Sequence, residues 1–359
     1  MKAIIPTGGR GTRMQPLTFS SNKHFIPIAN KPLIFYPIET VVEAGIKEIV
    51  VTYNPDSLDQ AKALLGDGSR WGVELTYVLQ ESPKGLANIF QVCEQVLEGK
   101  SFVLHLGDNI FTDGITDLVN HFEKEEPDGL VPIVHHKENT RLGVPLFDDG
   151  GRLVKYVEKP SNPPHDFAIP GLYFFSSRVF ECFKGTDAIK PSQRGELEIS
   201  APFQWMIDHH LRVDVLEYKG VWLDPGKFDD WIAANRYLLQ HKLQKGIESE
   251  LDSSAKISGT VKIGKGCTIE NSEIAGPVII GDNVKIIDSK IGEYSSISDD
   301  CEIIGSCVEN SVLMEGVKIV DIKQAISTSL IGTETEVIQG NNKTATISLF
   351  VGEKCKIQI

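Results

Sequence analysis

The chain has 359 residues, of which 41% are hydrophobic and 24% charged, and it carries a formal net charge of −13. Its length suggests about two domains at roughly 100–200 residues each, and its ordinary apolar fraction excludes disordered, collagen-like and disulfide-scaffold classes. The acidic balance weighs against general binding to nucleic acid or anionic lipid, which need a basic surface, although a local cluster of Lys and Arg can still hold an anionic substrate.

Met1-Lys2-Ala3-Ile4-Ile5-Pro6 runs straight into a strand and then a glycine loop, so no signal peptide is expected. Residues 33–44 carry apolar side chains at helical spacing and stop at Gly45, a good C-terminal cap. A strand at 48–52, a helix at 58–65, a strand at 74–79, a helix at 86–97 and a strand at 102–106 follow. This alternation predicts an α/β fold with a mainly parallel sheet covered on both faces. The order breaks near Gly143, where a hairpin turning at Asp148-Asp149-Gly150-Gly151 is expected. Further helices are expected around 197–209 and 228–244.

After about Gly246 the texture changes. Ile recurs at roughly six-residue spacing at 257, 263 and 269, at 280 and 286, and at 291, 297 and 303. Gly follows the aliphatic residue in Ile263-Gly264, Ile280-Gly281, Ile291-Gly292, Ile331-Gly332 and Val351-Gly352. One aliphatic residue per short unit is the signature of a parallel β-helix of hexapeptide repeats, with the aliphatic side chain inside the prism and small or polar residues at the corners. A β-sandwich would alternate at two instead. The phase drifts near Ile274 and after Gly316, where inserted residues or loops are expected. The expected organisation is a domain over 1–240, a linker at 241–250 and a β-helix over 251–359.

No apolar run approaches the ~20 residues needed to span a bilayer. The six cysteines are dispersed without a Cys-x-x-Cys pair, which indicates neither a zinc site nor a disulfide framework. A reducing, cytoplasmic setting is therefore expected. His105 lies inside an apolar strand and is expected to be a satisfied core residue. His135-His136 and His209-His210 are neighbours rather than an i, i+4 metal-ligand pair, and are given no role.

Gly8-Gly9-Arg10-Gly11-Thr12-Arg13 follows the first strand directly. Glycines there let backbone N–H groups approach a phosphate chain closely. No Gly-Lys-Ser/Thr follows, so this is not a Walker loop, and taken alone the turn fits a bland connection as readily as a phosphate cradle. Arg13 and Lys23 nearby add weight to the cradle.

The motifs then become specific. Gly8-Gly9-x-Gly11-Thr12-Arg13-x-x-Pro16, Lys23-x-x-x-Pro27 and Lys31-Pro32-Leu33-Ile34 resemble the sugar-1-phosphate nucleotidylyltransferases. In the same order come Gln80-x-x-x-x-Gly85-Leu86-Ala87, Leu106-Gly107-Asp108-Asn109, Glu158-Lys159-Pro160, Gly171-Leu172-Tyr173, Pro191-Ser192-x-Arg194-Gly195-Glu196-Leu197-Glu198-Ile199 and Trp222-x-Asp224-x-Gly226. Within that family the set is most similar to the glucose-1-phosphate thymidylyltransferases. The tail, ending in Val351-Gly352-x-x-x-Lys356-Ile357-Gln358-Ile359, resembles that of their long form. The resemblance covers essentially the whole chain and implies a Rossmann-like sheet followed by a left-handed β-helix.

The implied reaction joins a nucleoside triphosphate, dTTP, to a sugar 1-phosphate and releases pyrophosphate. The attacking phosphate oxygen is already ionised at pH 7, so the site must position and neutralise two anions rather than supply a general base. By resemblance, Gly8, Gly9, Gly11 and Thr12 shape the nucleotide loop, Arg13 holds the triphosphate, Lys23 the α-phosphate region, and Gln80 with the Gly85 backbone reads the pyrimidine. Asp108 and Asp224 would hold Mg²⁺, which accepts paired carboxylates and several waters. Lys159 and Arg194 would hold the sugar phosphate, while Asn109, Gly143, Glu158, Gly171 and Tyr173 would line the sugar pocket.

The family's usual aromatic before Gly143 is Leu142 here, and Pro145-Leu146 follow Val144. Ile169-Pro170 precedes Gly171, Ala201 follows Ser200, and Pro225 and Lys227 flank Gly226. These departures cluster on the sugar side, so another sugar 1-phosphate, or UTP as donor, remains an alternative. A non-catalytic sugar-nucleotide sensor is a second one, although Arg13, Lys23, Asp108 and Asp224 are all kept. Residues 251–359 contain no histidine, and their aromatic residues are Tyr294 and Phe350 alone. An acyltransferase face is hard to build from these, and homo-oligomer contacts are expected of the β-helix instead.

Overall fold

A computed structural model of the chain describes residues 1–9, 11–19, 21–82, 84–339, 350–351 and 356–358, the last two stretches as backbone. Gly352 of the expected last repeat and the terminal Ile359 lie outside the described residues. By internal contacts the chain forms two compact units, Met1–Gly9 with Ile34–Leu223, and Arg10–Leu33 with Asp224–Ile359.

The first unit is a sheet with helices. β1 (Lys2–Pro6), α1 (Phe35–Glu43), β2 (Glu48–Tyr53), α2 (Leu58–Leu65), β3 (Glu74–Leu79), α3 (Asn88–Leu97) and β4 (Phe102–His105) follow the alternation read from the sequence. α4 (Thr116–Glu125) and β5 (Gly129–His135) continue it beyond the span that the periodicity had marked. After them come β6 (Phe167–Ala168), β7 (Leu172–Phe175), α5 (Ser200–Asp208) and β8 (Val213–Glu217). The sheet order is β6-β5-β7-β4-β1-β2-β3, with β8 parallel to β5. β1 is parallel to both β2 and β4, whereas β7 enters antiparallel between β4 and β5, with Tyr173 opposite Leu104 and Phe174 opposite Leu130.

One layer of the core is aromatic. Phe90 of α3 meets Phe102 and Phe175 at 5.1 and 4.9 Å between ring centroids, and Phe175 meets Phe203 of α5 at 4.4 Å. The expected hairpin pairs Gly143–Phe147 with Leu153–Glu158. Its turn is closed by Asp148, whose Oδ1 accepts from the N–H groups of Gly150 and Arg152, a local bond that favours Asp in turns.

The second unit contains α6 (Phe228–His241), a short hairpin of Pro27–Ile28 with Lys31–Pro32, and three parallel sheets of short strands. These sheets are the three faces of a left-handed parallel β-helix. Its first strand, Gly246–Ile247, pairs with Val261–Ile263, so the β-helix begins inside the stretch read as linker. Ile263, Ile280 and Ile297 are successive partners, giving turns of 17 residues.

Each such turn runs six, five and six residues between buried aliphatics, as in Ile263, Ile269, Ile274 and Ile280. The phase shift at Ile274 is therefore one short side repeated every turn, and no loop is inserted there. After Gly316 the turns do lengthen: Val308 pairs with Ile326, one residue more than the regular turn, around buried Ile322, and Val337 pairs with Ile357, three residues more.

One corner is held by a serine ladder. Ser272 Oγ accepts from Ser289 N at 3.1 Å, Ser289 Oγ from Ser306 N at 3.2 Å, and Ser306 Oγ from Ile322 N at 3.0 Å. On the outer surface Lys285 pairs with Glu302 and Lys318 with Glu336. Each exposed pair contributes little alone, but slipping one turn would bring like charges together.

Candidate functional site

In the first unit the glycine loop and Gln80 come together. Gln80 is buried, its N–H donates to Tyr53 O, and its side-chain oxygen lies 3.0 Å from where a Cβ on Gly8 would stand. Gly9 has φ +113° and open space beside it. Gly85, at φ +100°, is pressed against another chain segment. Ala87 N donates to Leu197 O and Leu197 N to Lys84 O, and a Cβ on Gly85 would meet Leu197 N and C at 2.6 and 2.8 Å. The Gln80–Ala87 loop is thus clamped to the segment that carries Arg194.

Asp108 leaves the end of β4 beside Asn109, which is 3% exposed. Asn109 Oδ1 accepts from Gly171 N at 3.0 Å and from Trp222 Nε1 at 2.7 Å, while Nδ2 donates to Asp108 Oδ1 at 3.0 Å. Its amide is committed to aligning the Gly171 segment, the indole and the carboxylate. Gly171 has to be glycine for this, since a Cβ would meet Asn109 Cγ at 2.8 Å. His105, three residues before Asp108, is fully buried. Its Nδ1 bonds Leu106 O, Nε2 has no partner among the described residues, and burial pushes the imidazole down to about 4. The expected core position is correct, but only one ring nitrogen is satisfied.

Gly143 makes room for Tyr156, whose ring carbon Cζ would lie 2.6 Å from an added Cβ. The Tyr156 and Tyr173 hydroxyls are 3.4 Å apart beside Glu158. Burial first, and then the nearby Glu198 charge, raise the Glu158 carboxyl above its usual range, against the pull of Lys159 and Arg194. Lys159 holds a left-handed backbone at φ +48°, an uncommon conformation for a non-glycine residue, with its N–H on Leu142 O. Arg194 places Nε and Nη2 on Glu198 Oε1 at 3.1 and 2.8 Å, and Ser192 Oγ donates to the same oxygen.

Glu158 has a consequence for stability. Between the ordinary glutamate value of about 4.3 and the raised folded one, the folded chain holds more proton on Glu158 than the unfolded chain does. Stability from this group therefore falls as pH rises from that value through the raised folded one. Glu158→Gln should remove that fall, so its melting temperature should gain on the parent's between pH 4 and neutrality. Parallel melting curves of the two chains would discount the assignment.

The second unit carries the remaining residues of the signature. Gly11, at φ +54°, lies against Thr18, whose Oγ1 donates to Gly11 O at 2.8 Å, and a Cβ on Gly11 would reach Lys23 Cβ at 3.4 Å. Lys23 is 9% exposed, whereas Thr12, Arg13 and Asp224 are exposed. Among the described residues no helix is long and apolar enough to cross a membrane, and no group of three or more His, Cys, Asp or Glu side chains is gathered as a metal site.

Sequence reasoning gave no role to Glu198, Tyr156 or Trp222. Glu198 and Trp222 stand inside quoted motifs, which was the available signal. Tyr156 had none, because only the hairpin register brings it under Gly143.

Residues 2–241 match the sequence model of a family described as nucleotidyl transferase. The chain belongs to the nucleotidyl transferase family. This nucleotidyl transferase is 36% identical to a glucose-1-phosphate thymidylyltransferase of Streptomyces antibioticus over 360 residues, covering 100% of this chain and 99% of that one. It is 33% identical to the enzyme of the same name from Streptomyces griseus, with the same coverage. Among solved structures, a Bacillus anthracis protein assigned as a glucose-1-phosphate thymidylyltransferase, in complex with a sucrose, superposes with a TM-score of 0.62 at 30% identity. That match covers 68% of this chain and 97% of that one. The chain is accordingly an enzyme, and nucleotidyl transferases of this kind generally work with a divalent metal ion.

Proposed function

We propose that this chain transfers a thymidylyl group from dTTP to α-D-glucose 1-phosphate, forming dTDP-glucose and pyrophosphate. The observation that carries the reading is the full-length likeness to two glucose-1-phosphate thymidylyltransferases, with the β-helix included. The catalytic work is assigned to residues 1–240, which the family match over 2–241 supports.

The sugar phosphate brings its own ionised nucleophile, so the chain's task is to hold two anions in line and absorb charge. In this reading Gly8, Gly9, Gly11 and Thr12 shape the loop around the triphosphate. Arg13 takes the charge growing on departing pyrophosphate, and Lys23 binds the α-phosphate. Gln80 and the Gly85 backbone face the pyrimidine. Lys159 and Arg194 hold the sugar phosphate, and Gly143, Glu158, Gly171 and Tyr173 line the sugar pocket. Asn109 acts through its three hydrogen bonds as a positioning residue rather than by touching sugar.

Asp108 and Asp224 are assigned to Mg²⁺. An all-carboxylate donor pair suits a hard cation that keeps several waters. When bound, the ion would neutralise phosphate charge as it shifts to the leaving group. A cytoplasmic location and homo-oligomer contacts through the β-helix complete the proposal. The free thiols of Cys93, Cys182, Cys267, Cys301 and Cys307 support a reducing setting.

The test is pyrophosphate release with Mg²⁺ across dTTP, UTP, CTP, ATP and GTP against several sugar 1-phosphates. The expected maximum is dTTP with glucose 1-phosphate. A maximum at another sugar would keep the reaction and move specificity to Leu142 and Pro170. Silence across the grid with retained sugar-nucleotide binding would replace the enzyme reading by a sensor.

A further inference from the structure

We propose that Asn235 is a positioning residue for the triphosphate side of the site, tying the segment that carries Arg13 and Lys23 to the β-helix. This rests on the nucleotide roles just assigned to Arg13 and Lys23.

Asn235 sits in the middle of α6 and is 1% exposed. A buried amide has to spend its polar atoms on partners, and this one spends them on distinct parts of the unit. Its Oδ1 accepts from Ala29 N at 2.9 Å and from Ser296 Oγ at 2.7 Å, and its Nδ2 donates to Tyr294 O at 3.0 Å. Ala29 is at the tip of the Pro27–Pro32 hairpin, whereas Tyr294 lies at a corner of the β-helix and Ser296 on the strand that follows it.

A second bond runs alongside, from Asn30 Nδ2 to Ile297 O at 2.6 Å, and Trp231 Nε1, about one helical turn earlier in α6, donates to Pro27 O at 3.0 Å. Ala29 and Asn30 both hold left-handed backbone, with φ 49° and 57°. That conformation is uncommon outside glycine and persists where surrounding bonds dictate it.

From the hairpin the path to the phosphate residues is short. Leu33 N donates to Ile26 O at 3.1 Å and Ile26 N to Lys23 O at 3.2 Å. Lys23 in turn packs beside Gly11, whose carbonyl Thr18 holds. The bonds thus run from the β-helix through Asn235 and the hairpin to the lysine and glycine loop expected to grip the nucleotide. Arg10–Leu33 also belongs to the compact unit of the β-helix rather than to that of the sheet. On this account the β-helix fixes the geometry of the nucleotide grip, and Asn235 and Ser296 are the joints. Loosening them should be felt by the nucleotide and hardly by the sugar phosphate, whose assigned residues belong to the other unit.

The experiment uses the full chain with dTTP and glucose 1-phosphate, read by steady-state kinetics and by calorimetric titration of dTTP. Asn235→Ala is expected to raise KM and Kd for dTTP about tenfold, since small misplacements of binding groups carry such effects. KM for glucose 1-phosphate should stay within about twofold. Asn235→Asp keeps both accepted bonds but sets its second oxygen against Tyr294 O, so it should recover only part of the loss. Ser296→Ala, which cuts only the β-helix joint, should shift dTTP affinity in the same direction.

A folded Asn235→Ala chain with unchanged dTTP affinity overturns the proposal, as does an equal shift for both substrates, which a merely structural role would give. If Asn235→Ala does not fold, unchanged dTTP affinity in both Ser296→Ala and Asn30→Ala overturns it equally. A parent chain that binds no dTTP sinks the nucleotide assignment and this proposal with it. An active parent with flat variants sinks this proposal alone.

Discussion

Asp108→Asn should lower the rate of pyrophosphate release on the order of 10²–10³-fold, the scale seen when one charge-stabilising group is removed from a transition state. The substitution keeps shape and removes charge. Asn109 would still accept from Gly171 N and Trp222 Nε1, so the frame that holds residue 108 should survive. The melting temperature should therefore stay close to the parent's while turnover collapses, and the Mg²⁺ concentration for half-maximal activity should rise. The decisive measurement is a Mg²⁺ titration of pyrophosphate release for both chains at saturating substrates. Unchanged turnover across that titration would remove Asp108 from the metal site. A matched loss of activity and of folded protein would reassign it to the frame.

The second large effect is structural. Gly85→Ala should destabilise the first unit by about 3 kcal/mol or more, the range reached when a special backbone conformation and a backbone clash coincide. The added methyl would press on Leu197 backbone atoms rather than on a flexible side chain, and φ +100° is a strained region for alanine. Relief would come by parting the loop from Leu197, which would break Ala87 N to Leu197 O and Leu197 N to Lys84 O. Gln80 and the Arg194 segment would then move apart, so residual activity should show raised KM for both substrates. Thermal melting of the variant, with its kinetics below the transition, tests this. A variant as stable as the parent would show that the clamp is not needed. Gly9→Ala is the comparison: φ is also positive there, but nothing lies within 4 Å, so backbone strain alone should act.

Much of the architecture was legible because it is written in local periodicity. Strand and helix alternation up to β4 follows from apolar spacing, and the β-helix from one buried aliphatic every five or six residues. The chemistry was legible for a related reason: a grip on phosphate needs glycine, arginine, lysine and aspartate at particular places along the chain. Such residues remain visible before any folding is considered.

What only the tertiary structure decided depends on pairs far apart in sequence. The antiparallel entry of β7 between β4 and β5 has no local signature, because a strand's apolar pattern does not name its neighbours. Asn109 looked like a ligand of the sugar in the sequence, yet its amide is spent on Gly171, Trp222 and Asp108. Gly85 looked like a reader of the base, and its missing side chain also admits the backbone of Leu197. Residues 10–33, which carry Arg13 and Lys23, group with the β-helix, and a buried asparagine in α6 finds partners both on their hairpin and on the corner at Tyr294. Periodicity reports which face of an element is apolar. Which polar atoms meet inside is set by the demand that each be satisfied once the faces have closed.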